Sequence, residues 1–250
     1  MKTAASKSGR PQLQVNGILL VDKPAGCTSH DVVARIRRTF GIRKVGHGGT
    51  LDPMATGLLV LLLGRGTKLS PRISGADKTY EGVIHLGVQT DSQDLEGNVT
   101  EERDAAHVTE EALRSAMAEF LGDQMQTPPM LSAIKQDGVP LYKLARKGKV
   151  VERKDRLIHV FEFALLDFSP PMVTFRLRCT KGTYVRTIAA DLGDRLGCGA
   201  HLAALRRTGS GSFQIEDALP LDRIRGLTPE ELVDRTLPVY HPSLSQHAPR

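Results

Sequence analysis

Gly46–Gly64, GHGGTLDPMATGLLVLLLG, sets five glycines, one proline and a single carboxylate, Asp52, ahead of an unbroken apolar run. The apolar run from Leu58 to Leu63 reads as a buried stretch. Pro53 biases Asp52 away from helical geometry toward an extended backbone. Gly48 and Gly49 permit tight or left-handed turns just before it. The stretch therefore holds one carboxylate on a fixed loop with the apolar run Leu58 to Leu63 behind it. On these residues alone an Asp-Pro pair is far more often a turn signal than a catalytic one. A glycine-rich loop can cradle phosphate, but this one lacks the lysine and the spacing of a P-loop. No histidine or cysteine stands at metal-ligand spacing, which argues against metal-assisted hydrolysis.

Outward from this stretch the pattern is mixed. GILLVDK reads as a strand before it, followed by a helix over SHDVVARIRRTFG with Ser29 as its cap and Val32, Val33, Ile36 and Phe40 on one face. TYEGVIHLG reads as a strand with Tyr80, Gly82, Ile84 and Leu86 on one side. TEEALRSAMAEFLGD reads as an amphipathic helix capped by Thr109, its apolar face formed by Leu113, Ala116, Met117, Phe120 and Leu121. IHVFEFALLDF and MVTFRLRCT read as strands, the second with Val173, Phe175, Leu177 and Cys179 inward. TYVRTIAADLGDRLG reads as a helix stopped by Gly197. Strands and helices are interspersed without a regular βαβ repeat. That predicts an α+β fold, a mainly antiparallel mixed sheet with flanking helices.

Composition sets the class. Hydrophobic residues make up 40% and charged residues 25% of the 250, the balance of a globular domain with a sizeable core. No window holds the roughly 18 consecutive apolar residues of a membrane span. Residues 1–16 lack the apolar centre of a secretory signal and read as a disordered basic tail. Cys27, Cys179 and Cys198 are odd in number and widely spaced, which predicts unpaired, buried thiols in a reducing cytoplasm.

The net charge of +6 is compatible with a nucleic-acid partner, and its distribution says more. Lys135–Arg156 carries eight basic and three acidic residues, and Asp91–Asp123 carries two basic and ten acidic ones. A charge run by itself reads as a solvated face. A cationic stretch with glycines, Pro140 and Tyr142 also reads as an arm that tracks a phosphate backbone.

Taken together these segments resemble the TruB family of pseudouridine synthases. KVGHGGTLDPMATGLLVLLLG resembles the family's catalytic loop, and GILLVDKPAGCTSHDVV its opening strand and Lys-Pro turn at Lys23 and Pro24. DKTYEGVIHLGVQTDSQDLEG resembles its base-stacking segment, and QTPPMLSAIKQDGVPLYKLARKG its RNA-gripping segment. CTKGTYVRTIAADLG and GAHLAALRRTGSG resemble its late active-site motifs. The resemblance runs in the family's order from Gly17 to about Gly211. It implies the pseudouridine synthase fold with a central active-site cleft, and isomerisation of the T-loop uridine at position 55 of tRNA.

The resemblance also implies roles. Asp52 is the catalytic carboxylate. A carboxylate in an apolar cleft tends to protonate, so it needs a fixed cation, and Arg186 is the implied one. The uridine must leave its stack to be reached, and Tyr80 is the implied aromatic receiver. His47 and Asp94 are implied contacts of the flipped base, Leu205 a pocket wall, and Tyr184 a neighbour of Arg186. Lys23, Lys135, Arg146, Lys147, Lys149 and Lys154 complete the implied RNA-binding set. The reaction is an isomerisation, so no cofactor and no metal are expected.

The expected organisation is a tail over 1–16, a catalytic domain over 17–225 with an RNA-gripping insertion at about 124–156, and a short extension over 226–250 without a full PUA-like module. A monomer without an obligate protein partner or a membrane is expected. Three other readings attach to the same residues: a guide-RNA-directed synthase of the dyskerin type, a tRNA-folding factor using the same cleft, and a purely structural RNA-binding module.

Overall fold

The computed structural model describes residues 13–132, 135–136, 138–141 and 151–240. In chain order the first strands are β1 (Gly17–Lys23), β2 (Val45–His47), β3 (Thr56–Leu63), β4 (Lys78–Leu86), β5 (Val88–Thr90), β6 (Val99–Glu102) and β7 (Gly122–Gln126). They continue as β8 (Lys135–Gln136), β9 (Val139–Pro140), β10 (Arg156–Ser169), β11 (Met172–Cys179), β12 (Ala200–Ser210), β13 (Phe213–Gln214) and β14 (Leu219–Pro220). The helices are α1 (Ser29–Phe40), α2 (Ser70–Gly75), α3 (Glu110–Ala118), α4 (Val185–Arg195), α5 (Leu221–Arg225) and α6 (Pro229–Asp234). These elements form two compact units, Met1–Ala76 with Arg207–Arg250, and Asp77–Arg206. The division falls inside β12.

The first unit is built on β3. Gly57 to Leu63 are all buried, so this strand shows no polar alternation. It pairs antiparallel with β1, Gly17 opposite Leu63 and Lys23 opposite Gly57, and antiparallel with β2. β14 adds to β1 in parallel. Ile18, Leu20, Leu58, Val60, Leu62, Ile73 and Phe213 form the core of this unit. Burying each such large side chain contributes about 1.5–3 kcal/mol.

α1 turns Val32, Val33, Ile36 and Phe40 inward, as the periodicity predicts. Its cap differs from the expected one. Thr28, not Ser29, caps the helix: its hydroxyl accepts from the Asp31 amide while the Asp31 carboxylate accepts from the Thr28 amide. This reciprocal pair satisfies two amides at once, where Ser29 could satisfy only one. Ser29 is left for a different task at the Asp52 loop. Of the expected N-terminal tail, residues 1–12 lie outside the described residues, and Val15 is buried.

The second unit orders its strands β12-β4-β11-β10-β7, with the β4–β11, β11–β10 and β10–β7 ladders antiparallel. β4 alternates buried with half-buried residues and β11 buried with exposed or half-buried ones, so one face of this sheet is covered. Tyr80, Ile84, Phe175 and Leu177 belong to the covered face, as the alternation predicts. α3 buries Leu113, Ala116 and Met117, and α4 buries Val185, Ile188, Ala189 and Leu192. α3 starts after its Thr109 cap, as expected, but stops at Ala118, so Leu121 is exposed rather than part of the apolar face. Gly122 follows with a φ of 84°, a left-handed turn into β7 that the helix cannot enter.

All three cysteines are unpaired and buried, as expected. Both units mix helices with mainly antiparallel strands, which bears out the α+β class. Among the described residues no helix is long and apolar enough to cross a membrane.

Candidate active site

The backbone of the Asp52 loop is held carbonyl by carbonyl. Arg207 donates from Nη2 to the Gly49 carbonyl at 3.2 Å and from Nη1 to the Thr50 carbonyl at 3.3 Å. The Ser29 hydroxyl donates to the Leu51 carbonyl at 3.1 Å and accepts from the Leu51 amide at 2.8 Å. The Asp52 carbonyl accepts from the Ala55 amide at 3.1 Å. The Pro53 carbonyl accepts from the Gly26 amide at 2.9 Å and from Lys23 Nζ at 3.2 Å. Five successive carbonyls, Gly49 to Pro53, thus have a donor each. The loop around the carboxylate is fixed before any ligand arrives, which is the condition for a positioned reacting group.

Two glycines make this path possible. Gly49 has a φ of 141°, in the left-handed half of the map that favours glycine. A Cβ at Gly48 would stand 2.1 Å from the Ile73 side chain, closer than any atom can approach.

Lys23, grouped by the resemblance with the RNA-binding residues, has no exposed surface. Its Nζ also donates to the Pro24 and Cys27 carbonyls, both at 2.8 Å. A cation enclosed in this way serves the loop and cannot reach a phosphate, which corrects the expectation.

His47 is half-buried at the end of β2, five residues before Asp52. Burial first, and then the charge of Arg207, hold its imidazole below the usual histidine pKa, against the Gly49 carbonyl, which raises it. The ring is therefore neutral around pH 7. The unfolded chain takes up the proton near about pH 6.5, where the folded chain resists it. The stability this group contributes is complete above that pH and is lost as the pH falls below it. The unfolding midpoint should therefore drop below about pH 6.5, and His47→Gln should flatten that drop. His85, lowered by burial and by His201, acts with the same sign, so the difference between wild type and variant is the readout. An unchanged slope in the variant contradicts the assignment.

In the second unit the structure brings Arg186 and Asp94 together. Arg186 lies in the first turn of α4 and points its guanidinium into the unit. Its Nη1 is 3.2 Å from Asp94 Oδ2, and each side chain is 5% exposed. Nη1 also donates to the Ser92 carbonyl at 3.1 Å, and Nη2 to the Leu131 carbonyl at 3.0 Å. Asp94 is fixed in turn: it accepts from the Ser92 hydroxyl at 2.5 Å and from the Glu96 amide at 3.1 Å. A buried ion pair survives only with such extra hydrogen bonds, because each ion costs several kcal/mol to desolvate. Asp94 thus serves Arg186 directly.

The other expected residues divide. Tyr80 is buried on β4. Tyr184 is half-buried and caps α4, its backbone gripped on both sides by the Gln126 amide at 2.8 and 3.0 Å. Leu205 is half-buried on β12 and Lys154 is exposed. Lys135 belongs to β8, opposite Pro140 of β9. Arg146, Lys147 and Lys149 lie outside the described residues.

Comparison with known proteins places this architecture. Residues 37–185 match the N-terminal domain model of the TruB family pseudouridylate synthases, and residues 186–239 match the tRNA pseudouridylate synthase B C-terminal domain. The chain belongs to the TruB family. It is 58% identical over 231 residues to tRNA pseudouridine synthase B of Opitutus terrae, covering 92% of this chain and 96% of that one. It is 51% identical to the protein of the same name from Syntrophotalea carbinolica, covering 87% of this chain and 71% of the relative. Among solved structures it is similar to Cbf5 in a Cbf5–Nop10–Gar1 complex, with a TM-score of 0.70 and 29% identity over 93% of this chain. A second similar structure is an H/ACA ribonucleoprotein bound to a substrate RNA containing 2′-deoxyuridine, with a TM-score of 0.66 and 27% identity over 89% of this chain. The chain spans 66% and 59% of the lengths of those two chains, less than two thirds of either.

In each unit, some residues beside these side chains carry signals too weak to single them out in the sequence. Ser92 stands two residues before Asp94, a spacing at which a hydroxyl can bond back across a turn. Gln93 adopts a φ of 64° between them, and glutamine gives no hint of a left-handed position. Its carbonyl accepts from the Leu202 amide and its side chain from the Thr187 hydroxyl, both far along the chain. Gln126 and Arg207 likewise act on backbone distant in sequence.

Proposed function

We propose that Asp52 is the catalytic carboxylate for isomerising the T-loop uridine of tRNA, at position 55, to pseudouridine. The observation that carries this is the Gly49–Pro53 backbone, in which every carbonyl is held by a donor and which carries a single, half-buried carboxylate, Asp52. The reaction breaks the bond between ribose C1′ and uracil N1, turns the base and forms a bond from C1′ to C5. The hydrogen on C5 leaves to solvent and N1 gains a proton, so atoms and charge balance without an oxidant or an energy source. Asp52 acts as nucleophile or base. Arg186, aimed by Asp94, supplies the fixed cation that an ionised carboxylate requires. Tyr80 receives the base once it has left its stack. His47 and Leu205 border it, and Tyr184 packs at the start of the helix that carries Arg186. The names of the relatives support tRNA as the substrate. The enzyme works as a cytoplasmic monomer.

Mapping of pseudouridine in total RNA from cells with and without the gene tests the substrate. The modification should vanish at position 55 of tRNAs when the gene is removed. Its persistence there, with losses elsewhere, contradicts the assignment.

The cationic segment Lys135–Arg156 is the RNA-gripping arm of this reading. Neutralising Lys147, Lys149 and Lys154 should weaken tRNA binding and flatten its salt dependence, by up to about 0.9 in log–log slope for each phosphate left without its cation. Turnover at saturating tRNA should survive. Titrations at several salt concentrations check this, and unchanged affinity and slope would mean that the segment is only a solvated face.

A further inference from the structure

Arg207 is the largest of the fully buried side chains among the described residues, 1% exposed. Its Nε donates to the Leu58 carbonyl of β3 at 2.7 Å, while Nη1 and Nη2 hold the Thr50 and Gly49 carbonyls. These partners flank Asp52 on both sides in sequence. Two lie on the incoming arm of the loop and one lies on the strand that leaves it. A single rigid guanidinium plane therefore closes the loop that carries the carboxylate.

Lys23 and Ser29 each hold one arm of the loop, Lys23 at Pro53 and Ser29 at Leu51. Of these three side chains, Arg207 is the one that ties the two arms together. Burying a guanidinium against carbonyls is costly, and a hydrophobic side chain would fill the same space more cheaply. The planar fork, with several donors in fixed directions, does what neither lysine nor an apolar residue can.

We propose that Arg207 is a positioning residue for the isomerisation: it sets where Asp52 stands and adds a fixed positive charge beneath its loop. This rests on the reading of Asp52 as the catalytic carboxylate. The charge is felt along the loop, since Arg207 is the second cause, after burial, of the lowered proton affinity of His47. The same charge favours the ionised form of a carboxylate nearby.

The test uses Arg207→Lys and Arg207→Gln in the full chain, with Asp52→Asn alongside. Turnover at saturating tRNA is measured across pH, together with tRNA affinity and the unfolding midpoint. Both Arg207 variants should lose about 10- to 100-fold in turnover, as expected for a misplaced reacting group, with tRNA affinity within about threefold of wild type. Arg207→Gln, which loses the charge, should move the acid limb of the rate profile to higher pH, whereas Arg207→Lys should leave it in place. If Arg207→Gln does not fold, the turnover of Arg207→Lys decides. Turnover within about twofold of wild type in the folded variants overturns the proposal, as does a loss matched equally in tRNA affinity. An inactive Asp52→Asn beside unimpaired Arg207 variants overturns the positioning role alone. An active Asp52→Asn overturns the catalytic role of Asp52 and this proposal with it.

Discussion

With asparagine in place of Asp52, we expect pseudouridine formation to fall about ten-thousand-fold or more, with tRNA affinity changed by less than about tenfold, or 1.4 kcal/mol. Asparagine keeps the size and polarity of the side chain and removes the negative charge, so it can neither attack nor accept the proton. The loop should keep its path. The bonds that hold it run from Lys23, Ser29, Arg207 and two backbone amides to carbonyls, and none of them uses the Asp52 side chain. Single-turnover product formation and tRNA binding, measured on the same preparation, separate the two effects. Substantial residual isomerisation would remove Asp52 from the chemistry.

The second large effect is expected from Arg186→Lys. Lysine keeps the charge opposite Asp94 but replaces a planar fork with a single ammonium group. Arg186 uses one nitrogen for Asp94 and the Ser92 carbonyl and the other for the Leu131 carbonyl. One ammonium cannot hold that geometry, so the cation shifts and its orientation is lost. Turnover should fall by about 100- to 1,000-fold, the scale of removing one preorganised electrostatic interaction. The fold should tolerate the change, because Asp94 still faces a cation. Arg186→Met leaves the Asp94 carboxylate buried without its partner and should cost about 3–5 kcal/mol of stability. A lysine variant with a near-normal rate would show that the fork is structural only. A methionine variant as stable as wild type would show that the buried pair contributes little.

The sequence carries those features that local physics determines. Alternation in β4 and β11 marks the covered face with Tyr80 and Phe175, because a half-buried strand must alternate. Pro53 and the paired glycines mark the Asp52 loop, because few other residues permit that backbone. Contacts between distant segments stay hidden. Ser29 reads as a helix cap, yet Thr28 with Asp31 takes that place and Ser29 turns to Leu51, 22 residues on. The family resemblance groups Lys23 with the RNA-binding cations, and nothing in GILLVDKPAG shows that three carbonyls enclose it. Arg207 is one of 34 basic residues, and only the folded loop shows that its acceptors lie about 150 positions earlier, 149 to Leu58 and 158 to Gly49. Asp94 belongs to the candidate site in sequence, but its partner Arg186 is found only in three dimensions.

Release of the C5 hydrogen measures the isomerisation most directly, because that hydrogen must leave when C5 bonds to the ribose. An unmodified tRNA transcript tritiated at uridine C5 is incubated with the chain, beside a transcript with cytidine at position 55. Wild type should release close to one tritium per tRNA from the first and none above background from the second, and Asp52→Asn should release none from either. Equal release from both transcripts, or no release by wild type from the first, would contradict Asp52-dependent isomerisation at that position.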